Sequence, residues 1–188
     1  MHHTAPVTPI AALLADYRPR TDVESADVRR VLDLVAAGDP WSRDLPLHVT
    51  ASALVVHPPT RRVLLRWHVR LRSWLQVGGH GDPGEHDPLD VVLREGAEET
   101  NLDDLVCWPD GAVRQVVILP VPANATEPAH EHADLRFVLA TGRPERIRPE
   151  QPAAALRWLS LPEARALVAE PNLRDLFTRV KELLDRHG

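Results

Sequence analysis

The chain has 188 residues, of which 44% are hydrophobic and 26% charged, a globular composition that can bury a full core without disulfide bonds. Its formal net charge of −5 argues against binding to nucleic acid, which needs a clustered basic surface. The single cysteine excludes an internal disulfide, and no stretch approaches the roughly 20 apolar residues of a membrane span.

Residues 1–46 are predicted to form an N-terminal helical extension. Apolar residues recur at helical spacing over residues 8–37, with a break at Pro19 and a stop signal at Gly38-Asp39-Pro40. The segment Met1–Pro19 lacks a basic start, and its apolar run Ile10–Ala15 is too short for a signal peptide, so we expect a cytoplasmic protein with no membrane partner. The helices are expected to pack on the core; a homodimer contact or a lid is the alternative.

From Leu47 the hydrophobic period changes to two, which predicts strands. The predicted strands cover residues 48–57, 62–71, 113–121, 133–140 and 157–159. Helices are predicted over residues 88–100, 162–168 and 173–184. Strands interspersed with helices predict an α/β layered domain over residues 47–188.

The helix predicted over residues 88–100 carries the most informative pattern. Nine acidic residues and one arginine lie within residues 82–104. Glu95, Glu98 and Glu99 share one helix face, where like charges repel by a few tenths of a kcal/mol per pair. A bound Mg²⁺ or Mn²⁺ removes this repulsion, because these cations prefer oxygen ligands. A solvated acidic face is the alternative.

The glycine-rich loop and this helix resemble the Nudix box. That signature is a glycine, five residues, a glutamate, seven residues, and then Arg-Glu-apolar-x-Glu-Glu-x-Gly-apolar. Residues 79–102 match it, with Gly79 and Glu85 in the first half and Arg94-Glu95-Gly96-Ala97-Glu98-Glu99 in the second. The resemblance extends in outline over residues 47–185.

The match departs from the signature at three points, none of which removes a carboxylate of the helix. Eight residues separate Glu85 from Arg94, which puts an extra residue in the loop before the helix. Gly96 takes the apolar position, where a mid-helix glycine indicates close approach to a neighbouring element. Asn101 replaces the final glycine and suits a left-handed helix cap almost as well.

The resemblance implies an α/β/α sandwich with a mixed sheet. It also implies a hydrolase, dependent on Mg²⁺ or Mn²⁺, that cleaves the pyrophosphate bond of a nucleotide or nucleoside-diphosphate-linked small molecule. In this reading Glu98, Glu99 and the Gly79 carbonyl bind the metal. Glu95 is either a further ligand or the group that takes the proton of the attacking water, and Arg94 orients the glutamates.

The resemblance leaves two assignments open. Arg94 has an alternative role in a surface ion pair with Asp90, four residues earlier on the helix. The general base of the family varies in position, so Glu127 or Glu131 can serve in place of the helix glutamate.

Three further residues are candidates for substrate binding. His132 and Arg136 alternate with apolar residues on one predicted strand, and we expect them to contact the diphosphate or the base, with Asp134 orienting one of them. The run resembles His-x-His-x-Asp-x-Arg-Phe segments of some Nudix hydrolases. The alternative is that Asp134 and Arg136 neutralise each other on a solvated edge. Arg66, on the basic face of another strand, either meets substrate phosphates or faces solvent.

Two other functions compete with hydrolysis. A catalytically silent Nudix-like domain that senses a nucleotide would typically have lost glutamates of the helix, and all three are present. An isopentenyl-diphosphate isomerase would need a catalytic cysteine near the glycine-rich loop, whereas Cys107 follows the acidic helix and reads as an inert buried thiol. Loops outside the box select the substrate, so the box does not identify it.

Overall fold

A computed structural model describes residues 8–188 as five helices around one mixed sheet. The strands are β1 (Leu47–His57), β2 (Arg62–His68), β3 (Ser73–Leu75), β4 (Val77–Gly79), β5 (Val106–Cys107), β6 (Gln115–Val121), β7 (His130–Ala140) and β8 (Leu156–Ser160). The helices are α1 (Pro9–Ala15), α2 (Asp22–Ala37), α3 (Pro88–Thr100), α4 (Leu161–Leu167) and α5 (Pro171–His187).

The sheet is built around β1 and β7, which run parallel side by side. Their register pairs Leu47 with Glu131 at one end and Val56 with Ala140 at the other. All other pairings are antiparallel: β2 and β4 join β1, β5 and β6 join β7, and β3 and β8 join β2. The mixed sheet predicted from the box is therefore confirmed.

Helices cover both faces of this sheet. Leu135 and Phe137 of β7 belong to the same core cluster as Val91 and Val92 of α3. Val138, the residue after Phe137, belongs to a second cluster formed with α4 and α5. Because successive side chains of a strand point to opposite faces, this division separates two helical layers. The α/β/α sandwich is confirmed.

The N-terminal helices pack on the core, as the sequence predicts. Ile10, Leu14 and Val31 are buried in the cluster that includes α3. A buried ion pair between Glu24 and Arg179 (2.9 Å) joins α2 to α5. Residues 1–7 of the predicted extension lie outside the described part of the chain. None of the helices described has both the length and the hydropathy to cross a bilayer.

The bounds of α3 agree with the prediction because local residues fix both ends. Asp87 accepts a hydrogen bond from the backbone of Leu89 (2.9 Å), and Pro88 occupies the first turn. At the other end Asn101 adopts a left-handed conformation, with φ of 58°, and caps the helix.

Other elements differ from the prediction. The second strand ends at His68 and not at Leu71, because the chain turns there through Arg72, whose φ is 51°. Strands β3, β4 and β5 have two or three residues each, too few to show a hydrophobic period. Strand β7 begins at His130, three residues earlier than predicted.

Candidate active site

Arg94 is the centre of the charged network on α3. Its Nε and one terminal nitrogen donate to the two carboxylate oxygens of Glu85 (3.0 and 2.9 Å). The same terminal nitrogen donates to the backbone carbonyl of His80 (2.9 Å). The other terminal nitrogen donates to Glu95 (3.1 Å) and Glu98 (3.2 Å). Arg94 therefore connects the glycine-rich loop to the glutamates of the helix.

The extra residue between Glu85 and Arg94 does not separate these side chains. Glu85 receives both nitrogens of the guanidinium and also accepts from the backbone N–H of Asp82 (2.8 Å), which holds the loop in a turn. The bond from Arg94 keeps the pKa of Glu85 below its usual value. The partners of Arg94 are thus carboxylates and a carbonyl of the site, and not Asp90 as the surface-pair alternative required.

Glu99 is buried at the inner side of the same helix. Its carboxylate accepts from the backbone N–H of Gly78 (3.1 Å) and lies 3.3 Å from Nε of Arg66. Burial raises the pKa of Glu99 to about 7, although the charge of Arg66 opposes the shift. Arg66 also pairs with Glu150, in the loop before β8. Arg66 is 8% exposed, so the interpretation of a solvated basic face is wrong there.

Glu95 lies against the backbone of the glycine-rich loop. Burial raises its pKa, and the negative charges of Glu98 and Asp82 add to the effect against the opposing Arg94. A Cβ placed on Gly79 would come 2.5 Å from a carboxylate oxygen of Glu95. A side chain at this position would therefore displace the Glu95 carboxylate from the loop.

The donors around α3 suit a hard divalent cation. Glu95, Glu98, Glu99 and the Gly79 carbonyl offer oxygen atoms only, which is the ligand set of Mg²⁺ and Mn²⁺. Burial is the main cause of the raised pKa values of Glu95 and Glu99, and a bound cation would favour their charged forms. The Glu98 side chain is 56% exposed and can turn toward an ion.

A second group of potential ligands lies beside the loop. His48, His80, His130 and His132, here named the histidine cluster, meet where β1, β7 and the loop after β4 come together. Within residues 8–188 the set of metal-type side chains whose donor atoms all lie within 4.8 Å of one another belongs to this cluster, and not to the glutamates. The cluster borders a cleft of about 280 Å³.

Burial keeps the rings of His80 and His132 neutral. It lowers the pKa of His80 to about 3 and that of His132 to about 4, with a further contribution from the neighbouring histidines. The backbone of His80 is the carbonyl to which Arg94 donates, so the cluster adjoins the network of α3. Sequence reasoning identified His132 but missed His48 and His80, because their proximity arises from strand pairing.

Asp134 and Arg136 lie on the face of the sheet that packs against α5, opposite the face covered by α3. Arg136 donates to Asp134 (2.8 Å), Gln115 (3.0 Å) and Asn172 (2.9 Å). The two residues neutralise each other as one interpretation expected, but at 4% and 2% exposure they do so in the interior and not on a solvated edge. The structure does not bring Arg136 to the glutamates of α3, and its contact with substrate stays a prediction.

The two alternative general bases have partners of their own. The hydrogen bond from Arg30 lowers the pKa of Glu131. The hydrogen bond from Asn124 lowers the pKa of Glu127, which lies in the loop bordering the cleft. Both carboxylates are therefore weaker bases than Glu95, whose pKa is raised.

The sandwich, the glycine-rich loop and the Arg-Glu-x-x-Glu-Glu helix together define a hydrolase of the class that cleaves pyrophosphate bonds. A family model described as the NUDIX domain matches residues 46–180, well over half of the chain. The chain belongs to the Nudix family. No match was found among curated proteins.

Solved structures share the fold at low sequence identity. An Ap4A hydrolase from C. elegans, in a binary complex, is 18% identical with a TM-score of 0.58, over 73% of this chain and 98% of that one. The dihydroneopterin triphosphate pyrophosphohydrolase of E. coli is 21% identical with a TM-score of 0.56, over 75% and 97%. A NUDIX family hydrolase from Clostridium perfringens is 19% identical with a TM-score of 0.51, over 75% and 98%.

Proposed function

We propose that this Nudix enzyme hydrolyses the pyrophosphate bond of a nucleotide or of a nucleoside-diphosphate-linked small molecule, by attack of water on phosphorus. The observation that carries the proposal is the Arg94 network. One guanidinium holds Glu85 and the His80 carbonyl of the loop together with Glu95 and Glu98 of the helix. A helix face that served only to keep the protein soluble would not require a side chain that connects the helix to the glycine-rich loop.

The proposed cofactor is Mg²⁺ or Mn²⁺, held by Glu95, Glu98, Glu99 and the Gly79 carbonyl. The ion neutralises the charge of the diphosphate and makes a bound water more acidic. The protein supplies the ligands and their orientation: Arg94 holds Glu95 and Glu98, while the Gly78 N–H holds Glu99.

Glu95 is the proposed acceptor of the water's proton. Its pKa is raised by burial, whereas hydrogen bonds lower the pKa of both Glu127 and Glu131. A general base works best when its pKa approaches the working pH, which favours Glu95.

The substrate is proposed to lie in the cleft beside the glycine-rich loop. Of the predicted substrate contacts, His132 borders this region through His80, whose Nε2 lies 3.2 Å from its own. Arg66 acts from the interior, where it pairs with Glu99. From this position Arg66 is proposed to orient a metal ligand, and not to contact the substrate phosphates directly.

The proposal is tested with a panel of compounds: nucleoside triphosphates, dinucleoside polyphosphates, sugar nucleotides and ADP-ribose. Each is incubated with the full chain and Mg²⁺, and the released nucleotide and phosphate or pyrophosphate are quantified. Dinucleoside tetraphosphates and triphosphates come first, because two structures of this fold bear such names. Hydrolysis of at least one member, abolished by EDTA, is expected. A metal-independent reaction, or binding without turnover, would support a different function.

A further inference from the structure

The rings of the histidine cluster contact one another through their Nε2 atoms. Nε2 of His80 lies 3.1 Å from Nε2 of His48 and 3.2 Å from Nε2 of His132, and Nε2 of His132 lies 3.1 Å from Nε2 of His130. The donor atoms of His48, His130 and His132 also lie within 4.8 Å of one another. The rings come from three separate segments, so the convergence is a property of the fold.

Hydrogen bonding alone does not satisfy these contacts. Nδ1 of His48 and of His130 each face a backbone carbonyl, at 3.1 and 2.9 Å, so each carries its proton there and leaves Nε2 with a lone pair. If His80 and His132 donate to these lone pairs, their own Nε2–H groups face each other at 3.2 Å. A ring nitrogen makes one in-plane hydrogen bond, so two neutral rings are always left in conflict.

A cation bound by His48, His130 and His132, the three residues whose donor atoms all lie within 4.8 Å of one another, removes the conflict because their lone pairs then face the ion. Zinc binds imidazole nitrogens at 2.0–2.1 Å in tetrahedral geometry, which sets neighbouring nitrogens about 3.3 Å apart. Nε2 of His130 and Nε2 of His132, which are 3.1 Å apart, come close to that separation. The carbonyls that hold Nδ1 of His48 and His130 are the outer partners that metal-binding histidines usually have.

We propose that the histidine cluster is a second metal site, in which His48, His130 and His132 bind Zn²⁺ and His80, which contacts two of them, lies beside the fourth position. It is chemically distinct from the glutamate site, since nitrogen ligands select a borderline transition metal and oxygen ligands select Mg²⁺. The ion joins β1 to β7 beside the loop whose His80 carbonyl accepts a hydrogen bond from Arg94.

The test measures the zinc bound to the full chain. The protein is first freed of metal with EDTA and then equilibrated with Zn²⁺ in the presence of excess Mg²⁺. The Mg²⁺ saturates the carboxylates of the glutamate site. Wild-type protein is expected to retain one Zn²⁺ per chain, and Co²⁺ in its place should give the visible bands of a tetrahedral site. His132→Ala and His48→Ala should each lower zinc affinity at least tenfold. The control His187→Ala, an exposed histidine of α5, should not change it.

Two comparisons separate this proposal from the proposed function. Glu99→Gln should keep full zinc affinity, because its carboxylate lies in the other site. His130→Gln, at a half-buried position, provides a second variant if an alanine variant fails to fold by circular dichroism. Zinc affinity in His132→Ala or His130→Gln equal to that of wild type overturns the proposal, whatever the outcome of the substrate panel. Loss of turnover without loss of zinc would make His132 a direct substrate contact.

Discussion

The carboxylate of Glu95 has the surroundings that a proton acceptor needs. It is partly removed from water, faces the negative charges of Glu98 and Asp82, and is held by one bond from Arg94. These surroundings raise its pKa, whereas Glu98, in the same network, is largely exposed. Two glutamates that are three residues apart on one helix therefore have different roles in the proposed reaction.

Replacing Glu95 by glutamine separates the role of base from the role of ligand. If Glu95 accepts the proton, Glu95→Gln should lower kcat more than it weakens Mn²⁺ affinity, because a neutral amide oxygen still binds a cation weakly but takes no proton. Steady-state kinetics at saturating metal and a Mn²⁺ titration measure the two effects. Equal losses in both would make Glu95 simply a ligand.

The lack of a side chain at Gly79 matters for the same carboxylate. Gly79→Ala would bring a methyl group 2.5 Å from the Glu95 oxygen and displace it, so we expect kcat to fall at least tenfold with little change in Tm. Gly142→Ala is the matched control, because a Cβ there would meet its nearest neighbour, Asp104, at an ordinary 3.6 Å. Similar activities of the two variants would contradict this role for Gly79.

At the scale of elements, two contacts fix the helices that flank the site. Gly96 lets α3 approach the sheet, because a Cβ there would lie 2.8 Å from a methyl of Leu105 and 3.2 Å from one of Leu139. The close approach predicted from a mid-helix glycine is thus confirmed. On α2, Glu24 accepts two bonds of 2.9 Å from Arg179 of α5, with both side chains 5% exposed.

The Glu24–Arg179 pair should make the stability of the fold depend on pH. Burial alone would raise the pKa of Glu24, but hydrogen bonds, that from Arg179 foremost, outweigh it and lower the pKa below 4.5. A carboxyl group whose folded pKa is lowered stabilises the fold above its unfolded value, and this contribution is lost as pH falls through the folded pKa. The free energy of unfolding should therefore decrease below about pH 4.5.

Glu24→Gln tests this element directly. Breaking a buried pair leaves Arg179 without its anion, so we expect a loss of about 3 kcal/mol at pH 7. The difference from wild type should shrink as the pH falls below 4.5. Denaturant unfolding at several pH values measures both effects. The control Glu182→Gln breaks an exposed pair with Arg20 and should cost less than about 1 kcal/mol; an equal cost for both variants would contradict the role of Glu24.

For the whole molecule, local chemistry determined what could be predicted. The bounds of α3 follow from Asp87, Pro88 and Asn101, which act within one turn of the chain. The glutamate face follows from helical spacing, and the mixed sheet was expected from the resemblance to a known box. These features depend on residues close together in sequence.

What could not be predicted depends on pairing between distant segments. His48 and His132 become neighbours because β1 and β7 pair in parallel at that register. Arg66 pairs with Glu150 across 84 positions of sequence, so an arginine that the pattern placed on a basic solvated face is instead buried and paired. The short strands β3 and β4 have too few residues to show a period. The only available signal of the cluster was the presence of histidines at the starts of β1 and β7 and directly after β4.

The central claim is that the glutamates of α3 hold the metal that hydrolysis requires. The most direct measurement is the turnover of wild-type protein and Glu99→Gln on the best substrate of the panel, at saturating Mg²⁺. Arg66 keeps Glu150 as a second partner, and burial already raises the pKa of Glu99 to about 7, so the isosteric amide should preserve the fold while removing the charge. We expect kcat to fall by several orders of magnitude with Tm preserved. Near-normal turnover in Glu99→Gln, or in wild-type protein treated with EDTA, would contradict the assignment of the metal site.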